Sequence, residues 1–155
     1  MIRPRRPEDR DALIELDIAS ATHHVALDPD SYRMPSRDAV ARFLDRRHAD
    51  PDREVLVAVV GGAVVGTVDV TIQEPPDEGS IDRPIRTGDL GISVLEEWRG
   101  RGVGHALMAA AEESARARGA AQVILDMSAA NVGALRFYRG LGYAEQGLLL
   151  RRTLR

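Results

Sequence analysis

The chain contains no cysteine. That excludes disulfides, thiolate metal sites and a cysteine nucleophile. It contains no lysine either, since all 21 basic residues are arginine. A P-loop lysine, Schiff-base chemistry and a lysine general base are therefore excluded together. Aromatic residues make up only 4% of the sequence. No apolar run approaches the roughly 20 residues that a membrane span requires. The opening stretch Met1-Ile2-Arg3-Pro4-Arg5-Arg6-Pro7-Glu8 lacks the apolar region of a secretory signal, so a cytoplasmic protein is expected. The four histidines show no ligand spacing, and no metal site is expected. With a net charge of −3 and dispersed arginines, neither nucleic acid nor membrane is expected as a partner.

What remains is an ordinary soluble composition, 44% hydrophobic and 29% charged, over 155 residues. Length and composition predict a single domain, residues 1–155. A helix is expected from Pro7 to about His24, then a proline-broken loop over 25–35. Ser36 is placed to cap a second helix running to about Ala49. The β-branched runs Glu54–Val60 and Ala63–Ile72 flank Gly61-Gly62 and predict a hairpin. Residues 74–87 are too rich in proline and charge for regular structure. Asp89–Leu95 alternates as a fourth strand. A helix over Arg101–Arg118, a strand over Gln122–Met127 and a helix capped by Asn131 and running to about Leu141 follow. Leu148–Leu154 closes the pattern as an expected edge strand. The order describes an α+β domain, a mixed sheet flanked by about four helices.

One stretch carries chemistry. Arg99-Gly100-Arg101-Gly102-Val103-Gly104 follows a strand and opens a helix directly. Glycines let backbone N–H groups crowd around an anion, and the helix N-terminus adds a favourable dipole. The segment therefore reads as a diphosphate cradle. The dinucleotide fingerprint fails, because His105 and Leu107 stand where its third glycine would be needed. The Walker pattern fails for want of lysine.

The turn Arg99-x-x-Gly102-x-Gly104, behind a strand ending Ile92-Ser93-Val94, resembles motif A of the GNAT family of N-acetyltransferases. The run Asn131-Val132-Gly133-Ala134-Leu135-Arg136-Phe137-Tyr138-Arg139-Gly140-Leu141-Gly142-Tyr143 resembles that family's second motif. The resemblance implies a mostly antiparallel mixed sheet splayed between its fourth and fifth strands. It implies acetyl-CoA as co-substrate, a primary amine as acceptor, direct transfer in a ternary complex, and a homodimer in many members. Carried over by residue, it assigns the coenzyme diphosphate to the turn and first helical residues: Arg99, Arg101, Gly102, Val103, Gly104, His105 and Ala106. The backbone of Val94 would pair with the pantetheine arm, Asn131 would face the coenzyme near the thioester, and Tyr138 would protonate the departing thiolate.

A tyrosine, neutral at pH 7 with a pKa near about 10, suits that last task. The base stays open: Asp89, His23, His24, Asp69, Glu74 or a water chain. Residues 22–36 and the 74–87 loop are expected to shape the acceptor pocket. A non-catalytic acyl-CoA-binding module of the same fold remains the alternative to an enzyme.

Overall fold

The computed structural model describes residues 1–154. Its first strand, β1 (Ile2–Pro4), leads through a single 3-10 turn, Pro7–Asp9, into α1 (Arg10–Leu27). Proline rigidifies that turn, so the regular helix begins three residues later than the sequence suggests. The join is electrostatic. Asp9, 5% exposed, takes both Arg3 guanidinium nitrogens at 2.7 and 2.8 Å and the Arg6 N–H at 2.7 Å. These contacts, with the Arg3 hydrogen bonds foremost, hold its carboxyl below the usual carboxylate range. Helix α2 (Arg37–His48) starts as expected, with the Ser36 hydroxyl accepting from the Ala39 N–H at 3.2 Å.

Strands β2 (Arg53–Val60) and β3 (Ala63–Gln73) form the predicted hairpin. Gly61 and Gly62 turn it with φ of 58° and 86°, a pair of left-handed residues that side chains would strain. β4 (Thr87–Val94) begins two residues earlier than expected and is followed by α3 (Val103–Ala117). Next come β5 (Gln122–Ile124) and α4 (Val132–Gly140). The sheet order is β1-β2-β3-β4-β5, antiparallel throughout except for the parallel β4–β5 pair.

Two apolar layers enclose the sheet. Leu56, Val65, Val68, Val70, Ile72 and Leu90 meet Leu107, Met108, Ala111 and Ala115 of α3 on one face. Leu13 and Leu16 of α1, Leu44 of α2 and Val57 pack on the other. Burying each large side chain is worth about 1.5–3 kcal/mol.

Two expectations fail at the C-terminal end. β5 stops at Ile124 rather than Met127, and residues 144–154 form no strand. Leu148, Leu149 and Leu150 are 89, 100 and 86% exposed. A strand persists only where a ladder takes up its N–H and C=O groups. This tail instead bonds elsewhere, Glu145 to Arg139 and Arg151 to Ser31.

α3 lies close against β4 at one point. A Cβ at Gly88 would stand 2.9 Å from the Cβ of Ala115 and 3.3 Å from Val123. Gly88→Ala is therefore expected to destabilise the fold by about 1–3 kcal/mol, because strand and helix must part. Urea unfolding of the two proteins, compared at equal m-value, checks this.

Candidate active site

The cradle sits where β4 hands over to α3. Gly100 and Gly102 have φ of 71° and 83°, and a side chain at either position would meet nothing within 4 Å. The turn is thus an open backbone surface. Gly102 caps α3, and its carbonyl accepts the first intrahelical bond, from Ala106 N–H at 3.0 Å. The Ala106 amide is therefore engaged within the helix. The free donors of the helix end are the N–H groups of Gly102, Val103, Gly104 and His105. The first helical turn carries no acidic residue, so these amides and the helix dipole face an anion unopposed. Arg101 lies with its guanidinium carbon 5.2 Å from the centre of the Trp98 ring. Arg99 donates from Nε to the Val94 carbonyl at 3.2 Å. A diphosphate fits this donor set.

Beside the cradle the sheet opens. β4 and β5 pair only from Thr87–Gln122 to Asp89–Ile124. Beyond Asp89 the edge of β4 has no strand beside it among the described residues. Leu95 N–H donates to the Val65 carbonyl at 3.0 Å, which turns the backbone of Val94 the opposite way, into the gap. The splay is therefore real, and the Val94 N–H and C=O face the space that an extended arm would enter.

Helix α4 brings the second motif to the same place. The Asn131 Oδ1 accepts from Ala134 N–H at 3.0 Å and caps the helix, leaving its amide nitrogen free of that duty. Phe137 reaches the helix opposite. Its Cζ would lie 3.1 Å from a Cβ at Gly104, and its ring meets that of His105 edge-on, centroids 5.1 Å apart. Tyr138 follows, half-buried, 5.3 Å from the Phe137 ring and 5.9 Å from that of Tyr143. The Tyr138 hydroxyl forms no hydrogen bond with the described residues, and burial raises its pKa above the ordinary phenol value. Tyr143 closes the chain of rings by donating to Glu112 Oε1 of α3 at 2.8 Å.

The base candidates separate by their partners. Asp69 is held by Arg47 at 2.9 Å and by Arg53. Glu74 is held by Arg86 at 2.6 Å. His24 binds the Ser20 carbonyl through Nδ1 at 2.7 Å and stacks edge-on against Tyr32, centroids 5.1 Å apart. His23 has no such tie. Burial foremost, then the Arg99 charge, lowers its pKa, which favours the neutral ring.

Asp89 stands at the last paired rung of β4, on the face that carries Asp69 and Thr71. Burial foremost, then Asp126 and Asp69, raises its pKa above the usual carboxylate range. Gln73 donates to it at 3.0 Å, and across the rung the Thr71 hydroxyl is buried without a hydrogen-bond partner. The alternation of β4 gives this orientation. The 74–86 stretch is irregular as expected, and beyond α1 Tyr32 meets His24 while Thr22 donates to Met34 Sδ at 3.7 Å.

Three residues escape a reading of the sequence. Phe137 and Tyr143 are read only as positions of the second motif, yet they fasten α4 across α3. Asp17, half-buried on α1 with its pKa raised chiefly by burial, faces Arg47 and Asp69. The available signal was an acid set among Leu13, Leu16 and Ile18 of an apolar stripe.

Strand, glycine turn, splayed sheet and tyrosine helix meet at one opening of the sheet. The profile of the acetyltransferase (GNAT) family matches residues 17–143, and the chain belongs to that family. It is 34% identical over 122 residues to N-acetyltransferase 8B of Rattus norvegicus, covering 73% of this chain and 53% of that protein. The chain thus spans about half the length of that relative. Among solved structures, a mutant form of the BH1408 protein of Bacillus halodurans superposes with a TM-score of 0.91 at 20% identity, over 100% of this chain and 99% of that one. The aminoglycoside acetyltransferase AAC(6')-Iy, in complex with a bisubstrate analogue of CoA and acetylneamine, superposes at 0.72 with 22% identity, over 100% and 97%. These likenesses establish the fold.

The 3.1 Å approach of Phe137 makes a specific expectation about Gly104. Gly104→Ala should press on the ring, displace α4 and lower turnover several-fold. Adding Phe137→Leu should relieve much of that loss. A double-mutant cycle on turnover and stability would show coupling of about 0.5–3 kcal/mol, whereas additive losses would mean that the two residues act separately.

Proposed function

We propose that the protein transfers the acetyl group of acetyl-CoA to a primary amine by direct attack within a ternary complex. The observation that carries this reading is the juxtaposition at one sheet opening: the free amides of Gly102–His105, the gap-facing Val94 backbone and Tyr138, held on the helix that packs against the cradle. Family membership supports the acyl donor. The analogue held by AAC(6')-Iy joins CoA to an acetylated amine in that protein, and the same pairing of substrates is proposed here.

The chemistry needs no group that the chain lacks. The diphosphate rests on the cradle amides, with Arg99 and Arg101 beside it. The pantetheine arm pairs with the Val94 backbone once Arg99 releases its carbonyl. The neutral amine attacks the thioester carbonyl, a C–N bond forms and the C–S bond breaks. The departing sulfur takes the Tyr138 proton, which burial keeps on the phenol at neutral pH. The nitrogen gives up its proton to Asp89, directly or through water. A carboxylate with a raised pKa is a stronger base than an ordinary aspartate. Asp69 and Glu74 are occupied by arginines and serve structure instead.

Two variants test the assignment. Tyr138→Phe keeps the ring and its packing while removing the proton. Turnover should fall at least about tenfold, with the Michaelis constant for acetyl-CoA and the melting temperature little changed. A stable variant with unaltered turnover would remove Tyr138 from the mechanism. Loss of all CoA release in the parent protein across an amine panel would favour the binding-module reading.

Asp89 must be ionised to accept a proton, so kcat/KM should decline as pH falls through its raised pKa. Asp89→Asn should lower the rate and abolish that acid limb, whereas His23→Gln should leave it in place. A pH–rate profile in which the limb survives in Asp89→Asn would assign the base elsewhere.

A further inference from the structure

Helix α4 has nine residues, none of them fully buried, and it carries Tyr138. Phe137 seats it on Gly104, but a helix held at one point can still turn about that point. Its C-terminal end supplies the missing constraint. Gly142 has φ of 92° and donates its N–H to the Arg139 carbonyl at 3.0 Å, while the Tyr143 N–H returns to the Tyr138 carbonyl at 3.0 Å. These two bonds close the helix through a left-handed glycine and fold the next residue back over the residue five before it. Tyr143 therefore lies against Tyr138, ring centroids 5.9 Å apart.

From that position the Tyr143 hydroxyl donates to Glu112 Oε1 of α3 at 2.8 Å. Burial foremost, then this bond, raises the Tyr143 pKa above the ordinary phenol value, so the proton stays on Tyr143. Glu112 is partly buried and makes no ion pair among the described residues; its neighbour Glu113 takes Arg116 instead. A carboxylate drawn out of water needs a partner, and Tyr143 is the one it has. Phe137 and Tyr143 thus grip α3 at Gly104 and Glu112, about 12 Å apart along the helix axis. Tyr138 stands between the two grips, packed against both rings.

We propose that Glu112 is a positioning residue for the acyl transfer: by holding Tyr143 it stops α4 from turning about Phe137, and so fixes where Tyr138 presents its hydroxyl. The inference rests on the reading of Tyr138 as the proton donor to sulfur. Glu112 lies outside both motifs, well inside α3, and touches neither substrate in this scheme. Tyr143 keeps its proton throughout, so the effect is one of aim and no proton passes along the pair.

Glu112→Leu and Tyr143→Phe each remove the bond and keep apolar bulk in its place. Each should lower kcat about tenfold and leave the KM for acetyl-CoA within about twofold of the parent, because a small misplacement of a reacting group is costly while the cradle is untouched. Together they should cost no more than either alone, since both break the same bond. Glu112→Gln keeps an acceptor oxygen and should retain most of the turnover. In a Tyr138→Phe chain, adding Glu112→Leu should cost nothing further in kcat. Circular dichroism melting, run on every variant, shows that the chains compared are folded. Parent-like turnover in both Glu112→Leu and Tyr143→Phe overturns the positioning role, and Tyr138 stands as donor if Tyr138→Phe alone is slow. A Glu112→Gln chain as slow as Glu112→Leu overturns it too, as does a Glu112→Leu loss that adds in full to that of Tyr138→Phe. Parent-like turnover in Tyr138→Phe overturns the donor and the positioning role together.

Discussion

The contact of the Phe137 ring with the bare backbone of Gly104 governs the geometry of the site. α4 has no fully buried residue and packs through a few partly buried side chains. Only a glycine at the second position of α3 lets the ring come so near, and the ring then fixes where the next residue, Tyr138, projects. Glycine here does one thing that another residue would not, since its missing side chain is the seat of the neighbouring helix, while its amide is one of the unpaired donors at the start of α3. In the proposed mechanism donor binding and proton donation thus share one point of contact, and the Tyr143–Glu112 bond fastens the far end of α4 to the same helix α3.

On the other face of the sheet a different logic holds. Asp69 lies between Arg47 and Arg53, with Asp17 and His48 close by. Guanidinium does not titrate in the working range, so the positive half of this cluster is permanent. Burial foremost, then Arg5 and Arg47, pushes the His48 pKa down to about 4, so His48 is neutral at physiological pH. Gly91 belongs to the same arrangement, since a Cβ there would stand 2.8 Å from Asp69 Oδ1. The cluster joins α2 to the sheet, while Asp89, on the neighbouring Thr71 rung at the end of the β4–β5 pairing, makes no ion pair among the described residues.

Much of this was legible in the chain. Gly61-Gly62 between β-branched runs gave the hairpin, and Ser36 and Asn131 were read correctly as helix caps, because caps and turns are local devices. The tight strand-to-helix turn was legible in its glycines, and the structure shows its open backbone at Gly100 and Gly102. The splay was expected from the family resemblance alone. What could not be read were the non-local pairings: that Phe137 faces Gly104, that Tyr143 reaches Glu112, and that arginines claim Asp69 and Glu74. Leu148–Leu154 failed for a related reason. Its composition is that of a strand, but a strand is a property of a pair, and this chain supplies no partner within itself. The orientation of Asp89 toward the Asp69 face did follow the simple alternation of β4.

Trp98 is the chain's single tryptophan, and it stands in the turn just ahead of the cradle, under the Arg101 guanidinium. An anion arriving at the helix end competes with the indole for that cation. The tryptophan fluorescence of the protein therefore originates from one ring beside the glycine turn, with three tyrosines as the other main emitters. Occupancy of the cradle can be followed optically, without labels and without turnover, even by a variant that has lost the power to transfer an acyl group.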